Sequence, residues 1–146
     1  MKNEKRKKLE LDVFVGLKKA NFLFYSKFET LIKGKGLTES TYNILRILRG
    51  AKGEGLPCHE ISSRMLSRVP DVTRVIDRLV GLKFVIRERD IKDRRIVIQK
   101  ITAEGLTVLK EMDDPMDETH REIFKSFKKN ELDELVLLLG KFLENK

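Results

Sequence analysis

The apolar positions of the chain repeat with a helical period over most of its length and switch once to strict alternation. From Lys5 to Lys33, at about 100° per residue, Leu9, Val13, Phe14, Leu17, Ala20, Phe24, Phe28, Leu31 and Ile32 fall within one broad stripe. Leu11, Val15 and Phe22 fall on a separate patch. A helix packed only on its own domain needs one stripe. A second patch calls either for a second partner, of which another copy of the chain is the simplest, or for a helix sunk deeper in its own core, and the first is favoured. Gly34 and Gly36 end this helix, and Thr38 is a suitable N-cap for the next, with Glu39 in its first turn. Tyr42, Leu45, Ile47 and Leu48 are its apolar positions, and the glycine-rich run Gly50 to Gly55 is a loop. Pro57 suits the first position of a third helix bearing Ile61, Met65 and Leu66. Pro70 likewise opens a fourth, with Val72, Val75, Ile76 and Leu79 three and four apart and Gly81 near its end.

Here the period drops to two. Phe84 to Arg89 and Ile96 to Ile101 read as β-strands rich in β-branched residues, and Asp90 to Arg95 between them is short and highly charged. The pattern is a hairpin with a charged tip. Thr102 then caps a helix carrying Leu106, Val108, Leu109 and Met112, which Pro115 is expected to kink or break. Asn130 is the expected cap of a last amphipathic helix with Leu132, Leu135, Leu138, Leu139, Phe142 and Leu143. Two short helices, a hairpin and long flanking helices predict a mostly α (α+β) fold, a winged helix-turn-helix with a two-stranded wing.

Composition sharpens this picture in two ways. With 146 residues, 40% hydrophobic and 37% charged, the chain has the length of one globular domain and can bury a core without staples. The charge is unevenly placed. Residues 1–60 hold 13 basic and 7 acidic side chains and residues 61–100 hold 11 and 5, but residues 101–146 hold 7 and 11. A basic front and an acidic tail suit a surface that meets a polyanion, and from charge alone equally a solvated basic face. Cys58 is the sole cysteine, so no intramolecular disulfide forms. No run is long and apolar enough to span a membrane, and no apolar leader region follows the charged start. A cytoplasmic protein is expected, with no membrane partner.

The stretch Leu66 to Leu79 carries the chemistry. Its apolar residues form one face, while Asp71, Thr73, Arg74, Asp77 and Arg78 project elsewhere. A helix in a major groove reads base edges from its N-terminal part, and Arg is the commonest reader of guanine. Thr73 and Arg74 therefore sit where readout occurs, and Arg78 lies one turn on, within reach of a phosphate. The bland alternative is a solvated face with Asp77 paired to Arg74 or Arg78. In the hairpin, Arg87, Arg89, Lys92, Arg94, Arg95 and Lys100 stand against Glu88, Asp90 and Asp93. Arginines on a narrow ribbon suit a minor groove, and Asp93 is placed to hold a neighbouring Arg by a fork-like pair.

Taken in order, Asp71-Val-Thr-Arg-Val-Ile-Asp-Arg-Leu79, Gly81 to Arg87, Asp93-Arg-Arg95, Ile101-Thr-Ala-Glu-Gly105 and Glu131 to Lys141 resemble the MarR family of transcription regulators over nearly the whole chain. The resemblance implies one MarR-like unit over 1–146, with a DNA-binding lobe at about 37–101 and dimerisation helices at about 5–33 and 103–146. It implies a homodimer, a recognition helix at about 70–81 with Pro70, Asp71, Thr73, Arg74 and Arg78, and a wing at about 86–99. The wing's contributors are Arg87, Arg89, Lys92, Asp93, Arg94 and Arg95, its Asp-x-Arg being Asp93 and Arg95. The expected function is sequence-specific binding of double-stranded operator DNA by a repressor. Two departures are visible: the turn Ser67-Arg-Val-Pro70 replaces small polar residues, and Pro57-Cys58 replaces a Ser or Thr cap.

The resemblance also implies a small aromatic effector between the two lobes, where Phe24, Phe28, Tyr42 and Arg46 are candidate lining residues. Aromatics at helical spacing are more often plain core. The first helix has no cysteine of the kind that oxidation-sensing members carry, and Cys58, at the start of a later helix, is expected to be an ordinary thiol and not a redox sensor. Cys58 and His59 are adjacent and the only other histidine is His120, so no metal site and no cofactor are expected. No nucleophile–base pair or phosphate loop is present, so no enzymatic activity is expected either. The rival reading is a winged helix that binds only protein. It requires no arginines at both the helix and the wing tip. RNA binding is a weaker rival, because neither surface has exposed aromatics for stacking.

Overall fold

A computed structural model describes residues 2–144. The order of elements is α1 (Lys2–Lys33), α2 (Glu39–Gly50), β1 (Leu56–Pro57), α3 (Cys58–Arg64), α4 (Val72–Gly81), β2 (Val85–Arg89), β3 (Val97–Ile101), α5 (Ala103–Phe124) and α6 (Lys129–Glu144). Residue 1 and residues 145 and 146, which belong to the expected terminal segments, lie outside the described residues.

The core sits where α2, α3, α4 and the sheet meet the end of α1 and the first half of α5. Ile44, Leu45, Leu48, Ile61, Ile76, Leu79, Val85 and Leu109 are almost fully enclosed, and Ile32 and Met112 close it from the long helices. Alternate large aliphatic residues three and four apart on α4 place Val72, Ile76 and Leu79 inward, which fixes the opposite face of that helix outward.

Several boundaries differ from the sequence expectation, each for a local reason. The two-stranded wing of β2 and β3 is present as expected, and a third strand, β1, not anticipated in the sequence, joins it in the antiparallel order β1-β3-β2. Leu56 and Pro57 pair with Gln99 and Ile98, a strand too short to show an alternating pattern. Gly55 brings the chain there at φ +74°, and a Cβ on it would stand 2.5 Å from the Gln99 carbonyl oxygen. Pro57 is the N-cap of α3 in extended conformation, not its first helical residue, and it provides no side-chain cap. Helix α3 ends at Arg64, so Met65 and Leu66 are not on it. The Asn43 side-chain carbonyl accepts the Leu66 amide at 2.9 Å and turns the chain out of the helix.

Pro70 lies before α4, whose N-cap is Asp71; its carboxylate accepts the Arg74 amide at 3.0 Å. Thr38 and Thr102 cap α2 and α5 as expected. Pro115 does not break α5, which runs continuously from Ala103 to Phe124. Asn130 lies inside α6 rather than capping it. That helix starts at Lys129, and the Glu131 carboxylate accepts the Lys128 amide at 2.7 Å, one half of a capping box.

The largest departure concerns α1. Of its broad stripe only the end packs on the chain's own core, through Phe28, Leu31 and Ile32. Leu9, Val13, Phe14 and Leu17 are as exposed as the separate patch of Leu11, Val15 and Phe22. Helix α6 has no buried residue, and Val136, Leu137, Leu138, Phe142 and Leu143 are open to solvent.

Candidate nucleic-acid interface

Helix α4 and the β2–β3 hairpin are joined through the core and through charge. The Arg87 guanidinium on β2 meets the Asp77 carboxylate on α4 at 2.5 Å. Asp77 thus pairs across elements and not with its helical neighbours Arg74 or Arg78. Both side chains are partly solvated, so the pair contributes little stability, up to about 1 kcal/mol. Its consequence is electrostatic: Asp77 presents no unbalanced negative charge, and Arg87 is engaged within the fold. Arg78 is engaged as well, donating to the Gly36 carbonyl oxygen at 3.2 Å in the loop between α1 and α2.

The wing tip is organised by its carboxylates. Asp90 accepts the backbone amides of Lys92 and Asp93 at 2.6 and 2.8 Å. Those amides, first that of Asp93, hold the Asp90 carboxyl below its ordinary titration range. Asp93 accepts the Arg95 amide at 3.0 Å, so it shapes the turn instead of forking onto a guanidinium. Arg89 donates to the Arg94 carbonyl oxygen at 2.8 Å, and Glu88 pairs with Lys100 at 2.6 Å. Backbone bonds from Asp90 to Ile96 and from Ile96 to Asp93, each 2.9 Å, close the loop.

A simple division results. Asp71, Asp77, Glu88, Asp90 and Asp93, all the carboxylates of α4's cap, α4 and the wing, are engaged inside the fold. The side chains of Arg74, Lys92, Arg94 and Arg95 make no hydrogen bond or ion pair among the described residues, and all four are exposed. Thr73 is exposed beside Arg74, with its hydroxyl 3.7 Å from the Cys58 sulfur. Arg68, in the turn before α4, is a further exposed and unpaired arginine. The sequence reading passed over it, although an arginine two residues before Pro70 was the signal.

A cavity of about 530 Å³ lies between the second half of α1, α2, α5 and the turn at Leu66 and Ser67. Phe24, Phe28, Tyr42 and Arg46 all line it. Phe28 and Tyr42 stack edge to face with centroids 5.2 Å apart, and the Arg46 guanidinium stands 6.0 Å from the Tyr42 ring centre. Burial, opposed by Arg46, pushes the Tyr42 phenol above its ordinary range, so it is a neutral hydrogen-bond donor at physiological pH. Asn43 also lines the cavity while its carbonyl holds the Leu66 amide. Among the described residues no group of three or more His, Cys, Asp and Glu side chains is placed to hold a metal. No described helix is long and apolar enough to cross a membrane.

Comparison with known proteins agrees with this arrangement. A model of the MarR family matches residues 37–97. The chain is 26% identical over 129 residues to the homoprotocatechuate degradative operon repressor of Escherichia coli, covering 88% of this chain and 86% of that protein. The crystal structure of a MarR transcription factor from Planctomyces limnophilus is 30% identical, covers 89% of this chain and 94% of that one, and superposes with a TM-score of 0.70. An organohalide-sensing transcriptional regulator, RdhR, solved with 2,4-dichlorophenol bound, shares the fold with a TM-score of 0.83 at 17% identity, covering 94% and 81% of the two chains. The family match runs from α2 to the first residue of β3, and the Planctomyces limnophilus relative, 30% identical over 89% of this chain, extends well beyond it: the chain belongs to the MarR family of transcription regulators.

Proposed function

We propose that this protein is a cytoplasmic, homodimeric repressor that binds double-stranded operator DNA through α4 and the wing and is released by a small aromatic effector. The observation that carries the reading is the division of charge at these two elements: their carboxylates are engaged internally and Arg74, Lys92, Arg94 and Arg95 are not. A duplex meets uncompensated cations on a helix sized for a major groove and on a ribbon beside it. In this reading residues 37–101 form the DNA-binding lobe, with Pro70, Asp71, Thr73, Arg74 and Arg78 at the recognition helix. Arg87 and Arg89 brace the wing, while Lys92, Arg94 and Arg95 contact phosphates and groove, with Asp93 shaping their turn. The apolar faces of 5–33 and 103–146 pair with a second copy, which gives two half-sites about one helical turn apart.

The cavity supports the effector. Its aromatic walls, the Tyr42 hydroxyl and the Arg46 cation suit a small aromatic molecule with a polar substituent, and it abuts the turn leading into α4. The homoprotocatechuate repressor and the dichlorophenol-bound regulator make aromatic molecules the first class to test. Selection of bound duplexes from a random pool, followed by affinity of the winner across salt, tests the DNA reading. A pseudo-palindrome bound with a steep salt dependence is expected. Failure to enrich any sequence overturns it in favour of a protein-binding winged helix.

A further inference from the structure

We propose that Ile91, at the tip of the wing, is an apolar contact residue that enters the minor groove and supplies a part of DNA affinity that salt does not screen. The inference rests on the DNA-binding reading above and assigns a role to a residue outside its set of cations. Ile91 is 97% exposed, the most exposed large hydrophobic side chain among the described residues. One exposed apolar side chain is ordinary on a protein surface. The surroundings of this one are not.

The turn that carries it is fixed from both sides. Asp90, one residue before, binds the amides of Lys92 and Asp93; Asp93, two residues after, binds the amide of Arg95; Arg89 ties back to the Arg94 carbonyl. Ile91 is therefore held outward by backbone geometry and does not fold back on the hairpin. The charges around it sort in the same way. Glu88 is paired with Lys100 and Arg87 with Asp77, so the net charge of the wing tip is set by Arg89, Lys92, Arg94 and Arg95, which make no ion pair, against Asp90 and Asp93, whose carboxylates bond to backbone amides; the cations outnumber the anions by two. The tip is an isoleucine set in an excess of cations, with the two neighbouring carboxylates of Asp90 and Asp93 bonded to the amides of the turn.

That combination matches one chemistry. Cations draw the ribbon to the phosphates that border a minor groove, whose negative potential is strongest where it is narrow. The groove's walls are deoxyribose C–H surface, and aliphatic side chains inserted there act as wedges against base steps. A protein surface recruited by the same cations would need a carboxylate-rich partner, and the basic recognition helix beside the wing favours a continuous polyanion instead.

The experiment uses the full chain and the duplex selected from the random pool, with affinity measured across salt for the parent, Ile91→Ala, Ile91→Leu and Arg95→Ala. Removing the aliphatic contact in Ile91→Ala weakens binding about tenfold at every salt concentration, with the salt slope unchanged. Ile91→Leu retains most of the affinity, and Arg95→Ala weakens binding with a shallower slope. Thermal unfolding of Ile91→Ala matches the parent, since the residue has no packing to lose. Parent-like affinity of Ile91→Ala, or a loss that appears as a changed slope, overturns the proposal while leaving the DNA-binding reading intact. If the parent chain itself enriches no duplex, the DNA-binding reading fails and this proposal fails with it.

Discussion

At the level of single residues, the wing shows how short polar side chains set the shape of an exposed turn. Asp90 donates nothing to a core; it is worth having because two backbone amides point at its carboxylate. Its folded-state titration lies below the unfolded one, so its contribution to the turn is fully present above the ordinary carboxylate range, about pH 4, and is lost as pH falls through the lower folded value. The amide resonances of Lys92 and Asp93 should therefore keep their folded shifts down to a pH below 4, and in Asp90→Asn their exchange protection should drop at all pH values. Gly105 is a steric counterpart. A Cβ there would stand 2.5 Å from the Phe84 carbonyl oxygen and 2.8 Å from Ile101, where β2 enters the sheet and α5 leaves it. Backbone cannot yield as a flexible side chain does. Gly105→Ala should cost about 2–4 kcal/mol in urea unfolding, and equal stability would show that the junction is looser than drawn.

Elements were legible in the sequence to the degree that they are long and periodic. The helical stripes of α2, α4, α5 and α6 and the alternation of β2 and β3 locate all six, because each buries, or leaves for burial, one regular face. Strand β1 escaped, since two residues have no period and its pairing with β3 is dictated by a loop that Gly55 lets pass close. The end of α3 escaped for a different reason. Met65 and Leu66 continue the apolar spacing, but a buried asparagine 23 positions earlier takes the Leu66 amide, and such a contact exists only once the fold has formed. The same limit applies to the candidate interface. Thr73, Arg74, Arg94 and Arg95 were readable as exposed, whereas the engagement of Arg78 by Gly36 and of Arg87 by Asp77 depends on neighbours 42 and 10 residues away. Asn43 thus joins the cavity to the segment that leads into α4. Asn43→Ala should raise hydrogen exchange at the Leu66 amide and lower stability by about 1–3 kcal/mol, the cost of stranding a donor. Unchanged exchange would remove Asn43 from that role.

At the scale of the whole molecule, apolar surface is divided between two destinies. The lobe around Ile44, Leu45, Ile76 and Leu79 closes its core within one chain. The first two-thirds of α1 and the outer face of α6 do not, and Arg6, Leu9, Val13, Phe14, Leu17 and Phe142 line a shallow trough between them. A stable homodimer covers about 800 Å² or more on each partner, and this exposed apolar face is the part of the described surface suited to supply it. Leu138→Asp with Phe142→Asp should shift the protein from dimer to monomer in sedimentation, with operator affinity falling at least a hundredfold because the half-sites are no longer held together. A doubly substituted chain that remains dimeric would place the interface elsewhere.

If the uncovered face of α1 and α6 pairs with a second copy as proposed, the regulator is also sensitive to its own abundance. When chains are scarce relative to the dimer's dissociation constant, the number of assembled pairs grows as the square of the number of chains. Occupancy of an operator then climbs more steeply than the supply of protein, so a modest fall in copy number empties the site with no effector present. Under the proposed function, dilution and a bound aromatic molecule would be two routes to the same release, one acting on α1 and α6 and the other on the cavity beside them.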